Sequence, residues 1–279
     1  YFLEWMTDIG HIGVFKEDHD GAMSRFIGEA DVIFCMDFNQ INRLDRVTDT
    51  VTANTTAVRV LIDHHLHPPV DGYAVQFSDT HACSTSYIVY QLLEALAGTD
   101  AIDQAMAESL YVGIMTDTGN FSFSSLTSDL FRAVAVLIDK GVNVPYVNSS
   151  VYNNFSEGRS RLLGYMLNDK MVTDYEFGVA YVSLTEEEMR RFDFIQGDSE
   201  GFVNYPLSIR GIRMSAMFIQ TKHSIRVSLR SRGEVDVNVF ARRYFDGGGH
   251  RNAAGGKSYV PMNETLENFR KYLREYFGA

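Results

Sequence analysis

Two short apolar runs each end in an aspartate. ADVIFCMDF (30–38) carries Asp37 near its end, and AVRVLID (57–63) ends at Asp63. Their unbroken apolar character predicts strands covered on both faces, as in a parallel sheet. Helical spacing follows. In STSYIVYQLLEALAG (84–98), Ser84 is placed to cap a helix and Gly98 to end it. Residues 101–116 repeat apolar side chains at Ile102, Ala105, Met106, Leu110 and Ile114, which is one helical face. A further helix is predicted from Ser128 to Lys140, stopped by Gly141. Strands alternating with helices predict an open α/β sheet.

The pattern changes in the second half. FGVAYVSL (177–184) reads as a strand, and TEEEMRRF (185–192) opens a helix with a Thr185–Glu188 capping box. RMSAMFIQ (213–220) and SIRVSLRS (224–231) read as two strands joined by a short polar turn. In the second, Ile225, Val227 and Leu229 alternate with Arg226, Ser228 and Arg230, so one face presents polar side chains. A final helix is expected near Leu266 to Tyr276. The division expected is a parallel-sheet domain over 1–150, a connecting helix over 151–169, and a smaller α/β domain over 170–279, across a cleft from the first.

Composition narrows the functional classes. Hydrophobic residues make up 45% of the 279, which supports packed cores, and no apolar run reaches transmembrane length. Two cysteines cannot form a disulfide framework, which fits a reducing, cytoplasmic compartment. A net charge of -11 excludes a general binder of nucleic-acid backbone, so any anionic substrate must be attracted locally, by metal ions or a few arginines.

Candidate chemistry lies at the predicted strand ends, where open α/β sheets bind ligands. Asp37, the Asp63-His64-His65 triplet and Asp117 in TDTG can meet along one edge. Carboxylates with imidazole suit Mn²⁺, Mg²⁺ or Zn²⁺, and gathered carboxylates need cations to neutralise them. Taken singly, Asp37 reads more readily as a turn or cap residue, and Asp117 reads equally as a helix-terminating turn. His67 sits beside Pro68 and Pro69 and reads as bland, and KEDHDG (16–21) reads as a solvated loop. The second unusual stretch is GGGH (247–250). Gly247, Gly248 and Gly249 allow positive φ and close approach, and successive amides can hold an anion beside His250. Arg230 and Arg242 or Arg243 strengthen that reading, whereas Arg226 reads equally as a solvated strand residue.

These motifs, in order, resemble the DHH phosphoesterase family in the branch with a C-terminal DHHA1 domain. The matching pieces are MDF with Asp37, DHH at 63–65, STS at 84–86, TDTGNF at 116–121, SLRS at 228–231 and GGGH at 247–250. The set most resembles the oligoribonuclease and pAp-phosphatase type, often labelled exopolyphosphatase-related. The resemblance implies two divalent metal ions, usually Mn²⁺, with Mg²⁺ or Co²⁺ as alternatives. Asp37 would bridge them, His64 and Asp117 would ligate, Asp63 would orient the histidine pair, and His65 would face the phosphate. Arg230, Ser231 and Gly247 to His250 would hold a short RNA or nucleotide in the cleft. Long duplex nucleic acid and membranes are not expected partners, and a homodimer stays open. Exopolyphosphatase, pyrophosphatase, cyclic-dinucleotide phosphodiesterase and non-catalytic nucleotide binding are the competing readings. The family's earlier motif, a histidine and an Asp-x-Asp pair, is not found here, and YFLEWM at the start reads as protein interior. The expectation is therefore an N-terminally incomplete domain or a degenerate relative, weakly active or inactive as written.

Overall fold

The computed structural model describes residues 3–15, 18–122 and 126–278. Lys16 and Glu17 of the predicted loop and Phe123 of TDTGNFSF lie outside them. The chain forms two compact units, Tyr1–Asn154 and Phe155–Ala279. Among the described residues no helix is long and apolar enough to cross a membrane.

The first unit is built on a parallel sheet of β1 (Val32–Met36), β2 (Val58–Asp63) and β3 (Val75–Ser78), in that order. Met36 pairs with Ile62 and Asp63 with Ser78, so all three strands finish at one edge. Two short helices, α1 (Ala22–Gly28) and α2 (Thr48–Ala53), flank β1 in sequence. The helix α3 (Thr85–Ala97) lays Ile88, Val89 and Leu92 over Val60 and Ile62 of β2. Covering is less complete than the apolar runs predict. β2 is buried from Val60 onward, but Val32, Phe34 and Met36 of the edge strand β1 are exposed, Phe34 to 60%.

Helix ends follow the capping residues. The Ser84 hydroxyl accepts from the Tyr87 amide, and Gly98 ends α3 at φ 76°. The Asp103 carboxylate accepts from the Met106 amide to open α4 (Gln104–Asp117), and Thr127 accepts from the Leu130 amide to open α5 (Ser128–Asp139). Together α3, α4 and α5 enclose Leu110, Ile114, Met115, Leu130 and Leu137. Gly113 lets α4 close on α3, because a Cβ there would lie 1.9 Å from the Ser86 hydroxyl. The single connecting helix expected over 151–169 is two helices. α6 (Val144–Tyr152) ends at Asn153, and α7 (Glu157–Tyr165) restarts where the Ser156 hydroxyl, on extended backbone, accepts from the Arg159 amide. A wide π turn, Met166–Lys170, follows α7.

The second unit holds a six-stranded mixed sheet. Its strands are β4 (Val172–Asp174), β5 (Val179–Leu184), β6 (Met214–Gln220), β7 (Ile225–Ser231), β8 (Gly248–His250) and β9 (Ala253–Ser258), in spatial order β4-β5-β6-β7-β9-β8. β5 and β6 are parallel and the other pairs antiparallel. One face packs Phe218, Val227 and Leu229 against Phe240 of α9 (Val237–Tyr244) and Phe269 of α10 (Met262–Phe277). Over β5 and β6 the other face packs Val182, Met217 and Ile219 against Leu162, Met166 and Phe202. The glycine-rich stretch read as a loop is the β8–β9 hairpin, and α9 was not anticipated.

The Thr185–Glu188 capping box forms as expected and opens α8 (Glu186–Arg190). Burial alone would raise the Glu188 carboxyl. The Lys170 ammonium, the Thr185 amide and the Tyr165 and Thr185 hydroxyls outweigh it and hold the carboxyl at about 2. Its contribution is present above pH 4.5, the ordinary carboxylate value, and is lost as pH falls through 2. Glu188→Gln should therefore cost about 1–2 kcal/mol of unfolding free energy at pH 7. Urea unfolding should show that penalty shrinking between pH 4.5 and 2.

Candidate metal centre

The carboxyl ends of β1 and β2, the start of α3 and the end of α4 bring the first-unit candidates together. Asp37 follows β1 in a left-handed conformation, φ 65°, and its amide donates to the Ile62 carbonyl at 3.0 Å. That bend ends the strand and turns the carboxylate out beside β2. The Thr85 hydroxyl, at the first position of α3, donates to Asp37 Oδ1 at 2.9 Å. Asn39 ties the same turn to the segment after the histidines, donating to the Leu66 carbonyl at 2.7 Å.

The two histidines are oriented differently. His64 Nδ1 lies 3.2 Å from the Ala82 carbonyl, which can only accept, so the proton sits on Nδ1. Nε2 is thereby the nitrogen left available to a ligand. It lies 3.6 Å from Asp37 Oδ1 and 3.8 Å from Asp117 Oδ2. His65 Nδ1 lies 2.7 Å from Asp63 Oδ1, and its amide donates to Asp63 Oδ2. Asp63 is fully buried, so this pairing anchors His65 firmly. Of the two rings expected to be oriented by Asp63, His65 bonds its carboxylate, whereas His64 Nδ1 faces the Ala82 carbonyl. The two rings stand edge to face, with centroids 5.1 Å apart.

Asp117 is the last residue of α4, where exposed helix carbonyls add negative potential. Burial pushes its carboxyl up to about 6; His64 pulls it down and Asp37 pushes it further up. The donor set is two carboxylates and one imidazole nitrogen, suited to Mn²⁺, Mg²⁺ or Zn²⁺. Bonds of about 2.1 Å place neighbouring ligands about 3.0–3.4 Å apart, so a slight contraction of the trio would seat one ion. Asp37 also groups with Asp63 and His65, all three ligand atoms within 4.8 Å. In that second group Asp63 and His65 are already bonded to each other, so the first trio fits a cation better.

In the second unit, Arg230 lies on the half-exposed face of β7 and donates to the Leu229 carbonyl at 2.9 Å. Burial lowers its pKa and Glu200 counteracts this, so the guanidinium has a carboxylate in electrostatic reach. Ser231 does not join it. As the next residue on the strand it faces the opposite way, buried, and its hydroxyl donates to the Val235 carbonyl and accepts from Asn252. The glycines of GGGH serve close packing more than an amide cradle. A Cβ at Gly247 would lie 1.9 Å from the Gly255 carbonyl, and the Gly249 amide donates to Asn238 Oδ1. His250 pairs in register with Ala253. Arg242 also bonds Asn238, and Arg243 pairs with Glu275. Thr85, the Ala82 carbonyl and Asn39 are the site-building groups that the motifs did not single out; only STS hinted at Thr85.

Because the Asp117 carboxyl titrates above the ordinary 3.8, the folded metal-free chain loses stability as pH rises from 3.8 through about 6. Asp117→Asn should raise the metal-free melting temperature by a few degrees at pH 8 and leave it unchanged at pH 3. The same substitution should remove the stabilisation that added Mn²⁺ gives at pH 8. Thermal melts with EDTA and with Mn²⁺ check both outcomes.

Residues 4–114 match the family model described as "DHH family, N-terminal domain", and residues 175–279 match the DHHA1 domain. Over 251 residues the chain is 30% identical to a bifunctional oligoribonuclease and PAP phosphatase, NrnA, of Bacillus subtilis (strain 168), covering 88% of this chain and 73% of that protein. A probable enzyme of the same name from Streptococcus mutans is 29% identical, with 97% and 81% covered. Among solved structures, an exopolyphosphatase-related protein from Bacteroides fragilis matches with a TM-score of 0.93 at 38% identity, over 99% of this chain and 80% of that one. The chain belongs to the DHH family of phosphoesterases, in the branch that carries a DHHA1 domain.

Proposed function

We propose that this phosphohydrolase cleaves short oligoribonucleotides and removes phosphate from 3'-phosphoadenosine 5'-phosphate (pAp), with two divalent cations, Mn²⁺ first among them. The observation that carries the metal site is the convergence of Asp37, His64 and Asp117, with His64 Nε2 within 3.6 and 3.8 Å of the two carboxylates. The substrate class comes from the likeness to the two NrnA proteins. Two buried, unpaired thiols, Cys35 and Cys83, support a reducing cytoplasmic setting.

Asp37, His64 and Asp117 would hold a cation, with Asp37 shared toward a second. A bound divalent cation makes water a nucleophile near neutral pH and offsets charge on the phosphate. His65, anchored by Asp63, would present its other nitrogen to the phosphate and steady charge on its oxygens. Arg230 would grip the substrate from the second unit. Few, local contacts of this kind suit a chain of net charge -11 and short substrates, where a long basic track is not required.

Phosphate and nucleotide release from pAp, pApA, a ribopentanucleotide and polyphosphate, measured on the full-length protein with Mn²⁺, tests the reading. Nucleotides should be turned over, EDTA should abolish turnover, and His64→Ala should reduce it at least about 100-fold. Faster turnover of polyphosphate than of every nucleotide would overturn the substrate assignment. Binding of nucleotides without turnover would leave a non-catalytic binder.

A further inference from the structure

The face of β7 that carries Arg230 also carries Ser228 and Arg226, alternating with the buried Ile225, Val227 and Leu229. Register places Ala253, Gly255 and Lys257 of β9 beside them, with Arg226 directly opposite Lys257. On the β6 side this face is covered by Leu162, Met166 and Phe202, and the segment Phe202–Ser208 reaches β7, which leaves Ser228 and Arg230 partly exposed and Arg226 and Lys257 exposed. Ser228, Gly255 and Ala253 make a floor of small residues, with cations at both ends. Four residues of strand separate Arg226 from Arg230, about 14 Å, more than one nucleotide unit of extended strand.

Two cations directly opposite on neighbouring strands repel. Lys257 is exposed and makes no ion pair with any described residue. Arg226, 45% exposed, donates to the Ser199 hydroxyl at 2.8 Å, and its other nitrogen lies 4.0 Å from Glu200 Oε1. Ser199 is buried and fixed, whereas the Glu200 side chain is 68% exposed and free to move aside. The fold thus holds two positive groups opposite each other, with the exposed Glu200 carboxylate beside Arg226 offsetting part of their charge.

We propose that Arg226 and Lys257 form a second phosphate subsite, which takes an internucleotide phosphate of an oligoribonucleotide whose terminal unit is held at Arg230. Glu200 is the internal carboxylate that this phosphate displaces. The subsite rests on the nucleotide reading above and sets the preference for oligonucleotides over pAp, which is too short to span from Arg230 to Arg226.

KM and kcat for a ribopentanucleotide, pAp and polyphosphate, at two salt concentrations, test it in the full-length protein. In Arg226→Gln/Lys257→Gln the ratio of pentanucleotide KM to pAp KM should rise about tenfold, and the salt dependence of pentanucleotide binding should weaken by about one to two phosphate contacts. Glu200→Gln, which also relieves Arg230, should lower both nucleotide KM values and the pentanucleotide's further, so that the ratio falls, which a merely structural Arg226–Ser199 contact would not do. Arg226→Lys, with the charge kept, should restore most of the ratio. An unchanged ratio, an equal loss on both nucleotides, or an effect confined to polyphosphate would overturn the proposal while leaving the enzyme's assigned substrates intact. Failure of the unaltered protein to turn over either nucleotide would overturn the functional reading, and this subsite with it.

Discussion

Two carboxylates and an imidazole nitrogen held within 4.8 Å of one another repel unless a proton or a cation lies between them. The first unit is arranged to maintain that cost. The left-handed bend at Asp37, the Thr85 hydroxyl on its carboxylate and the Ala82 carbonyl on His64 Nδ1 all fix donors in place. The close α3–α4 contact at Gly113 sets where Asp117 emerges. The Thr85 hydroxyl offsets part of the Asp37 charge, and the rest of the repulsion remains. A divalent cation would resolve the conflict and would bring positive charge to an acidic site for phosphate chemistry.

The second unit shows the complementary imbalance. Its sheet is covered on both faces over β5 and β6 but less fully on one face over β7 and β9, where alternation leaves Arg226 exposed and Ser228 and Arg230 half-buried. Small residues on β9 keep that surface low. An anionic chain with a net charge of -11 thereby concentrates cations on one strip of strand, and local charge decides what binds.

Much of this was legible in the sequence. Apolar runs ending in aspartate marked β1, β2 and the placement of Asp37 and Asp63, although only β2 is buried as its pattern implies. Ser84, Gly98 and the Thr185–Glu188 box marked helix ends by local chemistry that needs no tertiary context. Other features left no such trace. The Ala82 carbonyl that sets the His64 tautomer is backbone and has no letter of its own. β8 and β9 are mostly glycine and alanine, weak strand formers that pair with each other, β9 pairing in turn with β7. Ser231 shares a motif with Arg230 but faces the core, since adjacent strand residues point to opposite sides. The helix α9 did leave a signal, Val237, Phe240, Ala241 and Tyr244 behind the Asp236 cap, which the neighbouring glycines obscured.

The central claim is that the strand-end trio exists to hold a divalent cation. A crystal structure of the protein grown with Mn²⁺, with anomalous scattering recorded at the manganese edge, tests it most directly. The account predicts an anomalous peak bonded to Asp37, His64 Nε2 and Asp117. No peak at these three side chains, or manganese bound only elsewhere, would contradict it.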